Sequence, residues 1–140
     1  MSNLQAVTRG AHHIGLTVPN LQATQQFFAD CLGFELLGEM PEYPAAFLSD
    51  GTTMITLWQA QDPQTAIPFD RKNVIGLHHL ALAIESDWQL NDLYRTLQNT
   101  AEVDIDFAPE SLGTGPTRHF TVTIPGGIRV EFIAPVQQAA

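Results

Sequence analysis

The stretch His13-Ile-Gly-Leu-Thr-Val18 returns 66 residues later as His79-Leu-Ala-Leu-Ala-Ile84, and the pattern that follows each copy also repeats. An internal repeat of this period in a 140-residue chain restricts the fold to two copies of one supersecondary unit. In the first copy, residues 12–18 alternate in period two, as a strand does. Pro19-Asn20 then opens a helical pattern through Phe27, Phe28, Cys31 and Leu32 that stops at Gly33. Residues 34–40, 45–49 and 53–59 read as three further strands, with Asp50-Gly51 between the last two marking a hairpin.

The second copy keeps this order. Residues 77–84 predict a strand, and Ser86-Asp-Trp-Gln89 has the spacing of a capping box ahead of the apolar positions Leu90, Leu93, Tyr94 and Leu97. Strands follow at 103–107, 118–124 and 128–133, the last two separated by Pro125-Gly126-Gly127. The expected organisation is a βαβββ module over 1–60, a Pro-rich polar crossing loop over 61–76 and a second βαβββ module over 77–140.

Fifteen acidic against six basic side chains give a formal net charge of −9, which repels phosphate backbones and anionic lipid. Nucleic acid and membrane are therefore excluded as expected partners. A single cysteine, Cys31, removes an intramolecular disulfide framework, and residues 1–9 lack the apolar core of a secretory signal, so a reducing cytoplasm is expected. Cys31 has no nearby His or Lys in sequence to lower its pKa and is read as a small hydrophobe.

Each copied strand begins with a histidine pair, and neighbouring side chains on a strand face opposite ways. Ile14, Leu16 and Val18, with Leu80, Leu82 and Ile84, form the bulky set that packs beneath a helix; His12 and His78 share their parity. The opposite face carries His13, Gly15 and Thr17 in one copy and His79, Ala81 and Ala83 in the other, so bulk falls away behind each histidine. In the last strand, Val130 and Phe132 take the packed face and Glu131 points the other way. Two imidazoles and one carboxylate form a facial triad with open coordination positions, which makes His13, His79 and Glu131 the candidate ligands of a divalent metal. Any one of them alone is accounted for as a solvated strand residue, but packing does not call for His at matching positions of both copies. His119 shares parity with Thr121 and Thr123 opposite Phe120, Val122 and Ile124, a placement that suits an acid/base group and equally an exposed strand histidine.

These residues resemble the vicinal oxygen chelate superfamily, which holds glyoxalase I, methylmalonyl-CoA epimerase, extradiol dioxygenases, fosfomycin-resistance thiol transferases and bleomycin-sequestering proteins. The resemblance rests on His13-Ile-Gly-Leu-Thr-Val-Pro-Asn-Leu21, Phe27-Phe-Ala-Asp-Cys-Leu-Gly33, His79-Leu-Ala-Leu82 and Pro125-Gly-Gly-Ile-Arg-Val-Glu131, and covers nearly the whole chain. It implies an α+β fold in which paired βαβββ modules form a curved mixed sheet around a metal-binding cavity, commonly as a homodimer. Ligand positions carried over from the family are His13, Thr56, His79 and Glu131, of which Thr56 is not a ligand type found there. Glyoxalase I has Glu at that position and the epimerase has Gln. The extradiol enzymes carry Tyr where Thr121 stands, and the fosfomycin enzymes have Thr where Gly15 stands.

The resemblance therefore implies a divalent-metal enzyme, with Fe, Mn, Ni, Co or Zn as the ion, acting on a small-molecule substrate that chelates through vicinal oxygens. Lyase, isomerase and dioxygenase chemistry all remain open, with Glu131 and His119 as the catalytic candidates. Thr56, Trp58, Phe69 and Thr121 are expected to line the substrate pocket. The alternative is a metal-free, bleomycin-resistance-like binding protein.

Overall fold

The computed structural model describes residues 5–135. The first four residues, read above for a secretory signal, and the last five of the second module lie outside the described residues. The chain divides into two compact units, Met1–Ala66 and Ile67–Ala140, so the crossing loop is split between them.

In the first unit, β1 (His13–Val18) leads into α1 (Leu21–Gln26), which continues as a π-helical turn over Phe27–Cys31. Asn20 stands in extended conformation and its side chain accepts the Ala23 amide, satisfying one of the donors that a helix start leaves open. Gly33, at φ +75°, ends the helical stretch in the left-handed region that a side chain disfavours. The π-helical turn is a departure from the regular helix expected over this stretch. Its two aromatic residues, Phe27 and Phe28, are both buried. Three strands follow, β2 (Glu35–Met40), β3 (Ala45–Ser49) and β4 (Met54–Gln59), giving a sheet ordered β1-β4-β3-β2. The β1–β4 pair is parallel and the other pairs are antiparallel.

In the second unit, β5 (Leu80–Ala83), α2 (Asp87–Gln98), β6 (Asp104–Ser111), β7 (Arg118–Thr123) and β8 (Arg129–Ala134) give the matching order β5-β8-β7-β6, again with the β5–β8 pair parallel. Ser86 caps α2 as expected, its Oγ accepting the Gln89 amide at 3.1 Å, while the Gln89 side chain meets Ser86 Oγ at 3.4 Å and not its backbone amide, so half of the capping box forms. Arg118 fastens β7 to the start of α2 through both carboxylate oxygens of Asp87, at 2.9 and 3.1 Å. The strand expected over 77–84 pairs only over Leu80–Ala83, so both histidines precede it. The strand expected over 103–107 runs on to Ser111, and Pro109 is tolerated there because β6 is an edge strand.

Each unit buries one face of its sheet beneath its own helix. Leu16, Val18, Ile55 and Leu57 are buried in the first, and Leu80, Leu82, Phe120, Val122, Val130 and Phe132 in the second, together with Leu90 and Leu97 of α2. The strand residues among them that period-two alternation assigns to the packed face are Leu16, Val18, Leu80, Leu82, Phe120, Val122, Val130 and Phe132, whereas Ile14 and Ile84, assigned to the same face, are only half-buried. The opposite face of the first sheet carries Gly15 in register with Thr56. A Cβ at Gly15 would stand 3.1 Å from the Thr56 hydroxyl and 3.4 Å from Trp58 Nε1, so the missing side chain is what lets the indole lie across this strand.

Two outcomes are expected in equilibrium denaturation. Leu97→Ala, which empties a fully buried position, costs about 2–5 kcal/mol, whereas Ser86→Ala, which removes only the cap, costs about 1 kcal/mol. Gly15→Ala, despite its smaller volume change, destabilises by about 1–3 kcal/mol because Thr56 and Trp58 must shift. Tryptophan fluorescence would report that shift.

Candidate functional site

The centre of the second sheet gathers three of the singled-out residues. Strand β8 lies between β5 and β7, with Glu131 in register with Ala81 on one side and Thr121 on the other. His119, two residues from Thr121 on β7, therefore sits diagonally from Glu131 on the same face, and His79, just ahead of β5, reaches the same carboxylate. His79 Nε2 lies 3.2 Å from Glu131 Oε1, and His119 Nδ1 lies 2.5 Å from Oε2. Both carboxylate oxygens are thus engaged, one by an imidazole from each neighbouring chain segment.

Glu131 and His119 are 14% and 13% exposed at their side chains, and His79 is 36% exposed, so the first two are largely shielded while His79 reaches solvent. A carboxylate this shielded needs the compensation that the imidazoles supply. The His119 ring stands edge-on to Phe107, with ring centres 5.1 Å apart, and its Nε2 is 4.0 Å from exposed Glu110. Thr121, beside Glu131, is buried.

The two histidine pairs, one in each unit, adopt the same arrangement. His12 Nδ1 and His13 Nδ1 are 2.9 Å apart, and His78 Nδ1 and His79 Nδ1 are 2.8 Å apart, both with rings edge-on. A neutral imidazole has one N–H and one acceptor nitrogen, so within each pair one ring donates to the other. For His79 the consequence is specific. If Nδ1 donates to His78, Nε2 is left bare beside a carboxylate oxygen, and that contact requires a cation. If Nδ1 accepts from His78, Nε2 carries a proton and stands 3.2 Å from Glu131 Oε1.

His79 Nε2 and Glu131 Oε1 are donor types that a divalent metal takes. Two ligand atoms, each about 2.0–2.2 Å from one ion, stand about 3–3.5 Å apart, and the 3.2 Å between His79 Nε2 and Glu131 Oε1 falls in that range. Among the described residues, no group of three or more His, Cys, Asp and Glu side chains is arranged to hold a metal ion.

In the first unit, His13 opens β1 with an exposed side chain, and Thr56 and Trp58 stand on one face of β4. The Thr56 hydroxyl, buried, accepts the Trp58 Nε1–H at 2.9 Å. Trp58 is further packed by Tyr43 and Phe47, with ring centres at 4.6 and 5.9 Å.

Phe69 stands apart from the Glu131 cluster. It lines a cavity of about 470 Å³ together with Arg71, Lys72, Thr123, Gly127 and Arg129. Sequence reasoning does not single out these cations, although a signal exists: half of the chain's six Lys and Arg residues fall at 71, 72 and 129. Nor does it find the His119–Glu131 bond, since the strand register that creates it is set by pairing across the sheet.

The model of the Glyoxalase/Bleomycin resistance protein/Dioxygenase superfamily matches residues 10–132. No curated protein matches the chain. Among solved structures, a glyoxylase/bleomycin resistance protein/dioxygenase domain from Frankia sp. EAN1pec is similar at TM-score 0.80 and 21% identity, over 94% of this chain and 96% of that one. Lactoylglutathione lyase from Agrobacterium tumefaciens is similar at TM-score 0.67 and 19% identity, over 92% and 96%. A genomically encoded fosfomycin resistance protein from Listeria monocytogenes is similar at TM-score 0.71 and 15% identity, over 93% and 96%. The repeated βαβββ order, the mixed sheets and the family match agree, and the chain belongs to the glyoxalase/bleomycin resistance protein/dioxygenase superfamily.

Proposed function

We propose that this chain is a divalent-metal-dependent enzyme acting on a small substrate through two neighbouring oxygens, with His13, His79 and Glu131 as the protein's metal ligands. The observation that carries this reading is the Glu131 carboxylate, which directs one oxygen at His79 Nε2 from 3.2 Å while the other is held by His119. An ion held by these residues would supply Lewis acidity, which stabilises negative charge developing on substrate oxygens.

The chain's own residues do the rest. His12 and His78 take the Nδ1 side of each ligand histidine and fix the ring, which leaves Nε2 to serve as ligand. His119 acts as a positioning residue: its Nδ1–H donates to Glu131 Oε2 and holds Oε1 toward His79. Its Nε2 is the nitrogen left for proton transfer. The small residues Ala81 and Ala83 leave the space beside Glu131 open for substrate. Thr56 is not a ligand in this reading, because its hydroxyl is committed to Trp58. That commitment separates the chain from glyoxalase I chemistry, which uses a carboxylate at this position as a base, and leaves lyase, isomerase and oxygenase reactions of other substrates. A cytoplasmic homodimer is the setting we propose for it.

Metal content of untagged protein tests the reading. Wild type is expected to hold about one equivalent of a divalent ion per site, and both His13→Ala and Glu131→Ala are expected to lose it. Stoichiometric metal that survives both substitutions would contradict the ligand assignment; protein that cannot be loaded at all would instead be a metal-free binding protein. His119→Ala is expected to keep the site but weaken metal affinity by about 10–100-fold, measured by competition with a chelating dye.

A further inference from the structure

We infer that the cavity beside β7 and β8 receives an oxyanion, a carboxylate or phosphate group of a small ligand whose body packs against Phe69. Arg71, Lys72 and Arg129 all line this cavity, in a chain whose formal net charge is −9. One carboxylate, Asp70, lines the cavity with them, and a second, Asp106, pairs with Arg129. Those two carboxylates are partly spent on structure. Asp106 accepts from Arg129 Nε at 2.7 Å and from the Thr123 hydroxyl at 3.4 Å, with Arg71 3.9 Å away. Asp70, also at the cavity, turns Oδ1 onto the Lys72 backbone amide at 2.9 Å.

The cations keep capacity that these contacts do not use. Arg129 binds Asp106 through Nε, and no Nη of Arg129 bonds to a protein atom among the described residues. A guanidinium held by one edge presents its remaining N–H groups in the fork that matches carboxylate and phosphate oxygens. The Lys72 ammonium forms no ion pair among the described residues and adds a mobile point charge. Phe69, half-buried, gives the cavity an apolar wall for whatever carries the anion.

The position of the cavity connects it to the proposed metal site. Thr123 and Arg129 are paired across β7 and β8, and Arg129 stands two residues before Glu131, so both share the sheet face of the Glu131 carboxylate. Along a strand, two residues span about 7 Å. A ligand anchored by its anionic end at Arg129 therefore reaches along the strand toward Glu131, which assigns the substrate to small anionic molecules. This last step rests on the proposed metal site; the anion site itself does not.

Backbone amide NMR on chelator-treated, metal-free protein tests the anion site separately. Inorganic phosphate and benzoate would be titrated against sodium chloride at matched ionic strength. Saturable shifts confined to residues 69–72, 123 and 127–129 are expected with at least one oxyanion and not with chloride. Stronger binding of benzoate identifies a carboxylate beside an apolar body, and stronger binding of phosphate identifies a phosphate ester. The double substitution of the exposed Arg71→Met and Lys72→Met, together with Arg129→Lys, which keeps the charge but loses the fork, is expected to raise Kd about tenfold or more. Shifts reproduced by chloride, or an unchanged Kd in the Arg71→Met/Lys72→Met protein, would overturn the inference. Because no metal is present, loss of the metal-site reading leaves this result untouched.

Discussion

The Glu131 carboxylate organises the second unit's functional face. It sits on the strand that has a parallel neighbour on one side and an antiparallel neighbour on the other, so its two oxygens meet imidazoles delivered by two different segments. Neither imidazole could be moved without leaving a shielded carboxylate oxygen unpaired, at a cost of about 1–3 kcal/mol or more for a charged group. The bulky residues that alternate with Glu131 on β8, Val130 and Phe132, are buried beneath α2, which fixes the strand's rotation and hence the direction of the carboxylate. Packing on one face thereby sets the geometry of the polar cluster on the other.

Most of this architecture can be read from alternation alone. The 66-residue offset exposes the repeat, and the bulk of Leu16, Val18, Leu80 and Leu82 tells which face of each first strand is packed, because a period-two pattern leaves no other rotation for the strand. Asn20 and Ser86 likewise announce their helices through cap chemistry that depends only on near neighbours. What alternation cannot supply is register between strands. Thr121 pairs with Glu131, and that offset, set by the Pro125-Gly126-Gly127 turn, is what carries His119 within reach of the carboxylate. The Nδ1 contacts within each histidine pair are equally hidden. Adjacent strand residues are expected to face apart, but His12 and His78 lie just outside the paired strands, where that rule no longer holds.

Charge is distributed with the same economy. Of the six cations, Arg118 ties β7 to the start of α2, Arg95 pairs with Asp92 along the helix, and three more meet at the Phe69 cavity. The acidic remainder of the surface repels anions at a distance, while this one concavity offers them a guanidinium edge and an ammonium. A small anionic ligand is thus selected by local geometry against the field of the whole molecule, an arrangement that favours short-range recognition over long-range steering.

The tautomer of His79 tests the central claim most directly. A ring that accepts from His78 at Nδ1 carries its proton on Nε2, whereas a ring that ligates a metal through Nε2 would carry it on Nδ1. Long-range proton–nitrogen NMR of the five histidines, recorded before and after addition of zinc, resolves the two states. The account predicts that His79 and His13 change at Nε2 on loading and carry their proton on Nδ1, while His119 keeps its Nδ1–H on Glu131. Zinc binding that leaves His79 protonated at Nε2, or that draws in His119 in its place, would contradict it.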